Sequence, residues 1–301
     1  MQRRGVNEIK SIFSNIEKRS FAVSEKQVRS RIKSIVSIEK ITKAMKMVAT
    51  SKMKSELGRL QNGRKFGHGS IEMVFKSDSY LQRKMPTFSD SDSVLLVPIT
   101  SDKGLCGGIN SAIVREVKAF VKAHDRSKIG IFTIGKKGTS ALLRPFPDLM
   151  KESISDVQTP LSYPSIMAIA SELEEHAADY DKIILIYNEY KNAISTVLRK
   201  LELFPRHKIL DSLKFLKKYE QKSPEGKSSN IVIYDLYLSS NIYQAYLNNM
   251  ASEQSARMTA MESASKNAGE IIEKLNLMAN KARQSKITSE LCEIISGANA
   301  I

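Results

Sequence analysis

The stretch "MESASKNAGEIIEKLNLMANKA" (261–282) decides how this chain is to be read. Met261, Ala264, Ala268, Ile271, Leu275, Met278 and Ala282 follow one another in alternating steps of three and four, the spacing of a heptad seam. The step to Ile287 slips, and Leu291 and Ile294 resume the rhythm. No proline falls between Asp235 and Ser296, so one helix of about 60 residues, roughly 90 Å long, is expected. A helix of that length cannot bury its apolar stripe on itself and needs a partner stripe.

A second long stripe stands at the other end of the chain. Val28, Ile32, Ile35, Ile38, Ile41, Met45 and Val48 step by three or four, and no proline intervenes before Pro86. Ser24 and Gln27 have the spacing of a capping box. Gly58, Gly63, Gly67 and Gly69 each cost a helix about 1 kcal/mol relative to Ala, so composition supports this helix to near Leu60. The two ends are therefore expected to pair as an antiparallel coiled coil, with Ala264, Ala268 and Ala282 letting the backbones approach closely.

Between them the pattern changes. "VLLVPIT" (94–100), "KIGIFTIG" (128–135) and "DKIILIYNEY" (181–190) are short aliphatic runs bounded by turn residues. Amphipathic stretches near 110–123, 136–144 and 165–179 separate them, which is the order of a Rossmann-like βαβ domain. "AISTVLRKLELF" (193–204) alternates and follows at once, so it is expected to pair antiparallel as the last strand. The polar "KKYEQKSPEGKSSN" (217–230) reads as an exposed linker.

The charge balance asks for polyanionic partners: the net formal charge is +15, and Lys26 to Lys65 hold twelve Lys/Arg against Glu39 and Glu56. The plain alternative is a solvated basic face. No apolar run approaches the roughly 18 residues of a membrane span. Two cysteines, Cys106 and Cys292, suggest a reducing compartment, and the four histidines show no metal-ligand spacing, so no metal or cofactor is expected. "MQRRGVNEIKSIFSNIEKRSFAVS" (1–24) sets Ile9, Ile12, Phe13 and Ile16 on one face beside basic residues, as in a mitochondrial transit peptide. "RSFA" (19–22) places its cleavage after Phe21. Glu8 and Glu17 weigh against this, and an ordinary N-terminal helical extension is the alternative.

"SDKGLCGGIN" (101–110) joins a strand to a helix, the setting of a phosphate cradle. Its glycines, Gly104, Gly107 and Gly108, have neither dinucleotide nor Walker spacing. A tight turn in which Gly107 and Gly108 permit close backbone packing is expected. Cys106 lies near a helix N-terminus, where a thiol pKa falls, but no base is in view and a packing role is favoured. No catalytic constellation emerges from the spacing.

"IKSIVSIEKITKAMKMVATSKM" (32–53), "SDKGLCGGIN" (101–110) and the block "SEQSARMTAMESASKNAGEIIEKLNLMANKARQSKITSELCEIISGANAI" (252–301) resemble, in order, three signature regions of the gamma subunit of F-type rotary ATP synthase. Residues 140–235 resemble it only in alternation and length. The chain is then expected to divide into a transit segment at 1–21, a coiled-coil helix at 22–80, and a Rossmann-like α/β foot at 90–205. A connecting segment at 206–234 and the second coiled-coil helix at 235–301 complete the division. The resemblance implies a torque-carrying shaft, without catalytic residues of its own, inside a ring of alpha and beta subunits. The foot would meet delta/epsilon-type subunits and the c-ring on the matrix side of the inner membrane. Lys103 and Cys106 would then lie near an acidic lever of beta. Met45, Lys46 and Arg257 would be shaft contacts, and Arg283, Gln284, Thr288 and Glu290 would meet catch loops of beta. Ile294 and Ile295 would slide in an apolar bearing. No inserted cysteine pair stands between Asn192 and Leu203, so no thiol switch is expected. The rival readings are a basic coiled coil that binds nucleic acid and a nucleotide-regulated scaffold.

Overall fold

The computed structural model describes residues 25–66, 92–157, 159–213 and 226–299. The expected transit segment, the Ser24 cap and the first helix beyond residue 66 lie outside the described residues. Among those described, no helix is long and apolar enough to cross a membrane.

Two helices dominate: α1 (Glu25–Phe66) and α6 (Gly226–Ala298). Between them run β1 (Val94–Pro98), α2 (Ile109–Ala123), β2 (Ile129–Ile134), α3 (Lys136–Leu143) and β3 (Met150–Ile154). Then follow α4 (Tyr163–Ala177), β4 (Lys182–Tyr190), β5 (Thr196–Leu203) and α5 (Arg206–Leu213). The chain divides into two compact units, one of residues through Lys46 with those from Met261 onward, the other Met47–Ala260.

In the α/β unit five strands lie in the order β3-β2-β1-β4-β5. The first four run parallel, with Leu95 opposite Gly130 and Val97 opposite Leu185. β5 returns antiparallel beside β4, Leu185 facing Leu201, as its alternation anticipates. β1, β2 and most of β4 are buried on both faces, which explains their unbroken aliphatic runs. One face packs Val94, Leu96, Ile131 and Ile184 against Ile113, Val117 and Val121 of α2 and Leu142 of α3. The other packs Leu95, Val97, Phe132 and Ile183 against Ile166 and Leu173 of α4 and Tyr234, Leu238 and Ile242 of α6. Each such aliphatic side chain contributes about 1.5–3 kcal/mol on burial.

β3 and α5 were not expected from the sequence. β3 reads Met-Lys-Glu-Ser-Ile with three exposed central positions, because it is an edge strand with one ladder partner. α6 also starts earlier than residue 235. Gly226 is its first residue, so this glycine sits at the helix end and not in the interior, where it would cost most.

Within this unit α6 is buried around nearly its whole circumference, since the sheet covers one side and α1 the other. Leu60 of α1 packs with Leu247 and Ala251. Gly63 sits where the helices touch: a Cβ there would stand 2.7 Å from Leu247 Cδ1. Some polar side chains on this buried stretch bond back to their own helix, as Asn241 Nδ2 does to the Tyr237 carbonyl at 2.8 Å and Asn248 Nδ2 to that of Gln244 at 2.9 Å.

The other unit is a helix pair, and here the expected seam is corrected. On α6 the covered positions are Met261, Ser265, Ala268, Ile272, Leu275, Ala279 and Ala282. Ala264 is half-buried, as Ile272, Leu275, Ala279 and Ala282 are, so the expected seam departs at two positions: Ile271 is 43 % exposed and Met278 58 % exposed. On α1 the covered stripe is Val28, Ile32, Ile35, Val36, Glu39, Thr42, Met45 and Lys46, while Ile38, Ile41 and Val48 face outward. A heptad tolerates either residue one turn on, and apolarity alone selects the wrong one. Successive steps of three from Ile35 to Ile38 to Ile41 rotate that apolar row by about 120° away from the seam, at 3.6 residues per turn. The seam alternates large apolar residues (Val28, Ile32, Ile35, Met261, Ile272, Leu275) with small or polar ones (Thr42, Ser265, Ala268), and the ion pair Lys46 Nζ–Glu262 Oε1 at 2.7 Å lies at its rim.

Candidate functional site

β1 and β4 lie side by side where the strand order reverses: β1 leads through α2 to β2 on one side, and β4 leads by a hairpin to β5 on the other. In a doubly wound fold the crevice beyond their carboxyl ends is where a nucleotide binds. Here the chain fills it. Asn188 of β4 donates through Nδ2 to Asn249 Oδ1 at 3.2 Å and to the Ile109 carbonyl at 3.4 Å. Ser252 Oγ donates to the Asn188 carbonyl at 3.1 Å. α6 thus occupies the place of a ligand.

The glycine-rich loop is closed upon itself. Ser101 N donates to Asn110 Oδ1 at 3.1 Å, Asn110 Nδ2 donates to Ser101 Oγ at 2.7 Å, and Ser101 Oγ donates to the Lys103 carbonyl at 2.7 Å. Asn110 Nδ2 also reaches Cys106 Sγ at 3.2 Å. Gly107 takes φ +62°, a left-handed conformation that favours glycine and that Leu105 of the same loop also adopts at +61°, whereas Gly108 has open space around it and merely precedes α2. Of the two glycines, then, Gly107 alone shapes the turn.

The loop presents a carbonyl, not amide hydrogens, to its charged neighbour. Arg257 of α6 donates through Nη2 to the Gly104 oxygen at 3.2 Å, to Glu253 Oε1 at 2.6 Å, and through Nη1 to Gln254 Oε1 at 3.0 Å. A phosphate cradle has the opposite polarity. Burial pushes the Glu253 carboxyl up, and Arg257 opposes that shift.

Beside the loop a groove of about 750 Å³ runs between α2 and α3, floored by Val114, Ala119 and Ala141. Arg115, Lys118, Lys122 and Lys137 line it, and none has an ion-pair partner among the described residues. The first three recur at helical spacing and were readable as a basic stripe; only the fold adds Lys137.

The residues nominated from the sequence separate into two sets. Lys103 is exposed at the loop tip, but Cys106 is 2 % exposed and Arg257 9 %. Those two hold the loop in shape and do not present its surface. In the helix pair Met45 is half-buried and Lys46 is engaged with Glu262. Arg283, Gln284, Thr288, Glu290, Ile294 and Ile295 are all exposed on the last turns of α6. Thr288 Oγ1 donates to the Gln284 carbonyl at 2.9 Å, and Glu290 pairs with Lys286 at 3.6 Å.

A long helix pair that leaves several large apolar side chains facing outward, together with a doubly wound unit whose crevice is filled by its own chain, defines the architectural class. Residues 24–301 match the family described as ATP synthase, and the chain belongs to it, among the gamma subunits. It is 32% identical over 281 residues to the mitochondrial F(1) complex subunit gamma of Dictyostelium discoideum, covering 92% of this chain and 91% of that one. The mitochondrial subunit gamma of Arabidopsis thaliana is 34% identical over 290 residues, covering 93% and 86%. The central stalk and c-ring structure of the Tetrahymena thermophila mitochondrial ATP synthase contains a chain 49% identical, with TM-score 0.70, covering 75% of this chain and 99% of that one.

Proposed function

We propose that this chain is the central-stalk rotor subunit of a mitochondrial F-type ATP synthase. It carries torque between the proton-driven c-ring and the alpha/beta catalytic hexamer. The carrying observation is the long helix pair, in which Ile38, Ile41, Ile271, Leu277 and Met278 face outward in addition to the apolar residues of the seam. Large apolar groups on the outside of a coiled coil call for a surrounding protein. Alpha and beta subunits supply it, while delta/epsilon-type subunits and the c-ring receive the α/β unit. The chain is peripheral, on the matrix side of the inner membrane.

It acts without catalytic groups of its own. Catalysis belongs to beta, and this chain imposes the order in which beta subunits change shape. Arg283, Gln284, Thr288 and Glu290 give angular registration, each exposed contact worth about 0–1 kcal/mol and so able to break at every step. Ile294 and Ile295 offer no directional bonds and suit a bearing. At the loop, Lys103 with Arg115 and Lys118 forms the cationic surface that meets the acidic lever of beta, and Cys106 and Arg257 brace it from behind.

The test is co-purification from detergent-solubilised mitochondria, paired with the variant Arg283→Ala/Gln284→Ala. Alpha, beta and c-ring subunits are expected with the wild-type chain, and the variant should lose coupling or assembly while its α/β unit stays folded. Recovery of the chain with nucleic acid and without alpha and beta would refute the proposal.

A further inference from the structure

We infer that Glu152, Glu172 and His176 form a binding site for a divalent transition-metal ion. α4 sets Glu172 and His176 one helical turn apart on one face, the spacing at which two side chains clasp a single ion. The third donor comes from β3. Glu152 is registered opposite Phe132, and the ring of His176 lies 5.8 Å from that of Phe132, so the strand and the helix converge there. The donor atoms of the three side chains all lie within 4.8 Å of one another.

Charge gives an independent reason to expect a cation. The chain carries 47 Lys and Arg, yet none among the described residues pairs with either carboxylate. Among the described residues Glu152 Oε1 accepts only from Ser153 N at 2.8 Å, and Glu172 has only His176, Nε2 to Oε1, at 4.0 Å. Two carboxylates in so basic a protein have converged on an imidazole and not on a lysine. One nitrogen and two oxygens form a borderline donor set that suits Zn²⁺ or Co²⁺, with water completing the shell. Ligand atoms around tetrahedral zinc stand about 3.4 Å apart, so closure asks for about 1 Å of movement from surface side chains. The histidine spacing in the sequence showed nothing, because the third donor belongs to a different element.

A bound ion would pin β3, the sheet's polar edge strand, to α4. The experiment uses the full chain carrying Cys292→Ser, which removes the exposed thiol as a competing ligand. Zn²⁺ alone is titrated calorimetrically, the Co²⁺ electronic spectrum is recorded, and thermal unfolding is followed with and without Zn²⁺. One equivalent of Zn²⁺ and a raised Tm are expected. Loss of an outer-shell partner alone weakens metal sites 10–100-fold, so Glu172→Gln/His176→Gln should lower affinity by more than about tenfold and abolish the Tm rise. Glu152→Gln, on the exposed strand, should weaken binding without disturbing the fold. No saturable uptake at millimolar Zn²⁺, or uptake unchanged in these variants, overturns the assignment.

Discussion

Arg257 donates to the main-chain oxygen of Gly104 at 3.2 Å, joining α6 to a loop 153 residues earlier in the chain. That bond sets the polarity of the glycine-rich turn, holding its carbonyl against a cation and leaving Lys103 free to point outward. The same guanidinium neutralises the buried Glu253 at 2.6 Å.

Removing it should therefore be costly. Arg257→Ala strands the Glu253 carboxylate and is expected to lower stability by about 3 kcal/mol in urea unfolding. Arg257→Met with Glu253→Leu should recover most of that loss, because no buried charge then remains. A loss below about 0.5 kcal/mol in the single variant would mean that the loop holds its shape unaided.

Two glycines of α1 should respond in opposite directions. Gly58 has nothing within 4 Å, so Gly58→Ala is expected to stabilise by up to about 1 kcal/mol through helix propensity. At Gly63 the new methyl meets buried Leu247, and overpacking of about 1–3 kcal/mol outweighs the same gain. Thermal unfolding of the two variants side by side decides it.

The choice of seam can be tested on adjacent residues. Ile272 is covered and Ile271 faces out. Ile272→Gln should cost about 1 kcal/mol or more in the isolated chain, and Ile271→Gln only a few tenths. In the assembled complex the second variant should instead weaken association. Equal costs in the isolated chain would restore the seam expected from apolarity.

Asp181 provides a pH signature. It accepts from Ser93 N at 3.1 Å and Ser93 Oγ at 2.8 Å, and Lys208 lies 3.1 Å away. These bonds lower its carboxyl from 3.8 to about 2, with Ser93 the largest cause. A lowered carboxyl stabilises the fold above its unfolded value, and that contribution disappears as the acid is protonated. The side chain is 43 % exposed, so screening reduces the effect to about 1 kcal/mol. Wild type should exceed Asp181→Asn by this amount above pH 3.8, and the difference should vanish by about pH 2. A difference independent of pH would locate the effect elsewhere.

Strands buried on both faces, such as β1 and β2, were legible because complete burial writes an unbroken aliphatic run. β3 was not, since an edge strand with exposed central positions leaves no periodic mark. The stripe of α1 was read correctly through Val28, Ile32 and Ile35 and then misread, as Ile38 and Ile41 turn away. Between 235 and 260 α6 showed no stripe because it is covered from two sides. The exposed contact candidates on its last turns could be named from their motif, whereas the burial of Cys106 and Arg257 could not.

By itself, the sequence determined that two long helices must pair and that an alternating α/β segment separates them, because hydrophobic periodicity is local and survives without coordinates. Tertiary structure decided which residues form the seam, that α6 fills the crevice a nucleotide would take, and that Glu152 meets Glu172 and His176. Those outcomes depend on helix rotation and crossover direction, which bring together residues far apart in the chain, and no spacing along one segment encodes them.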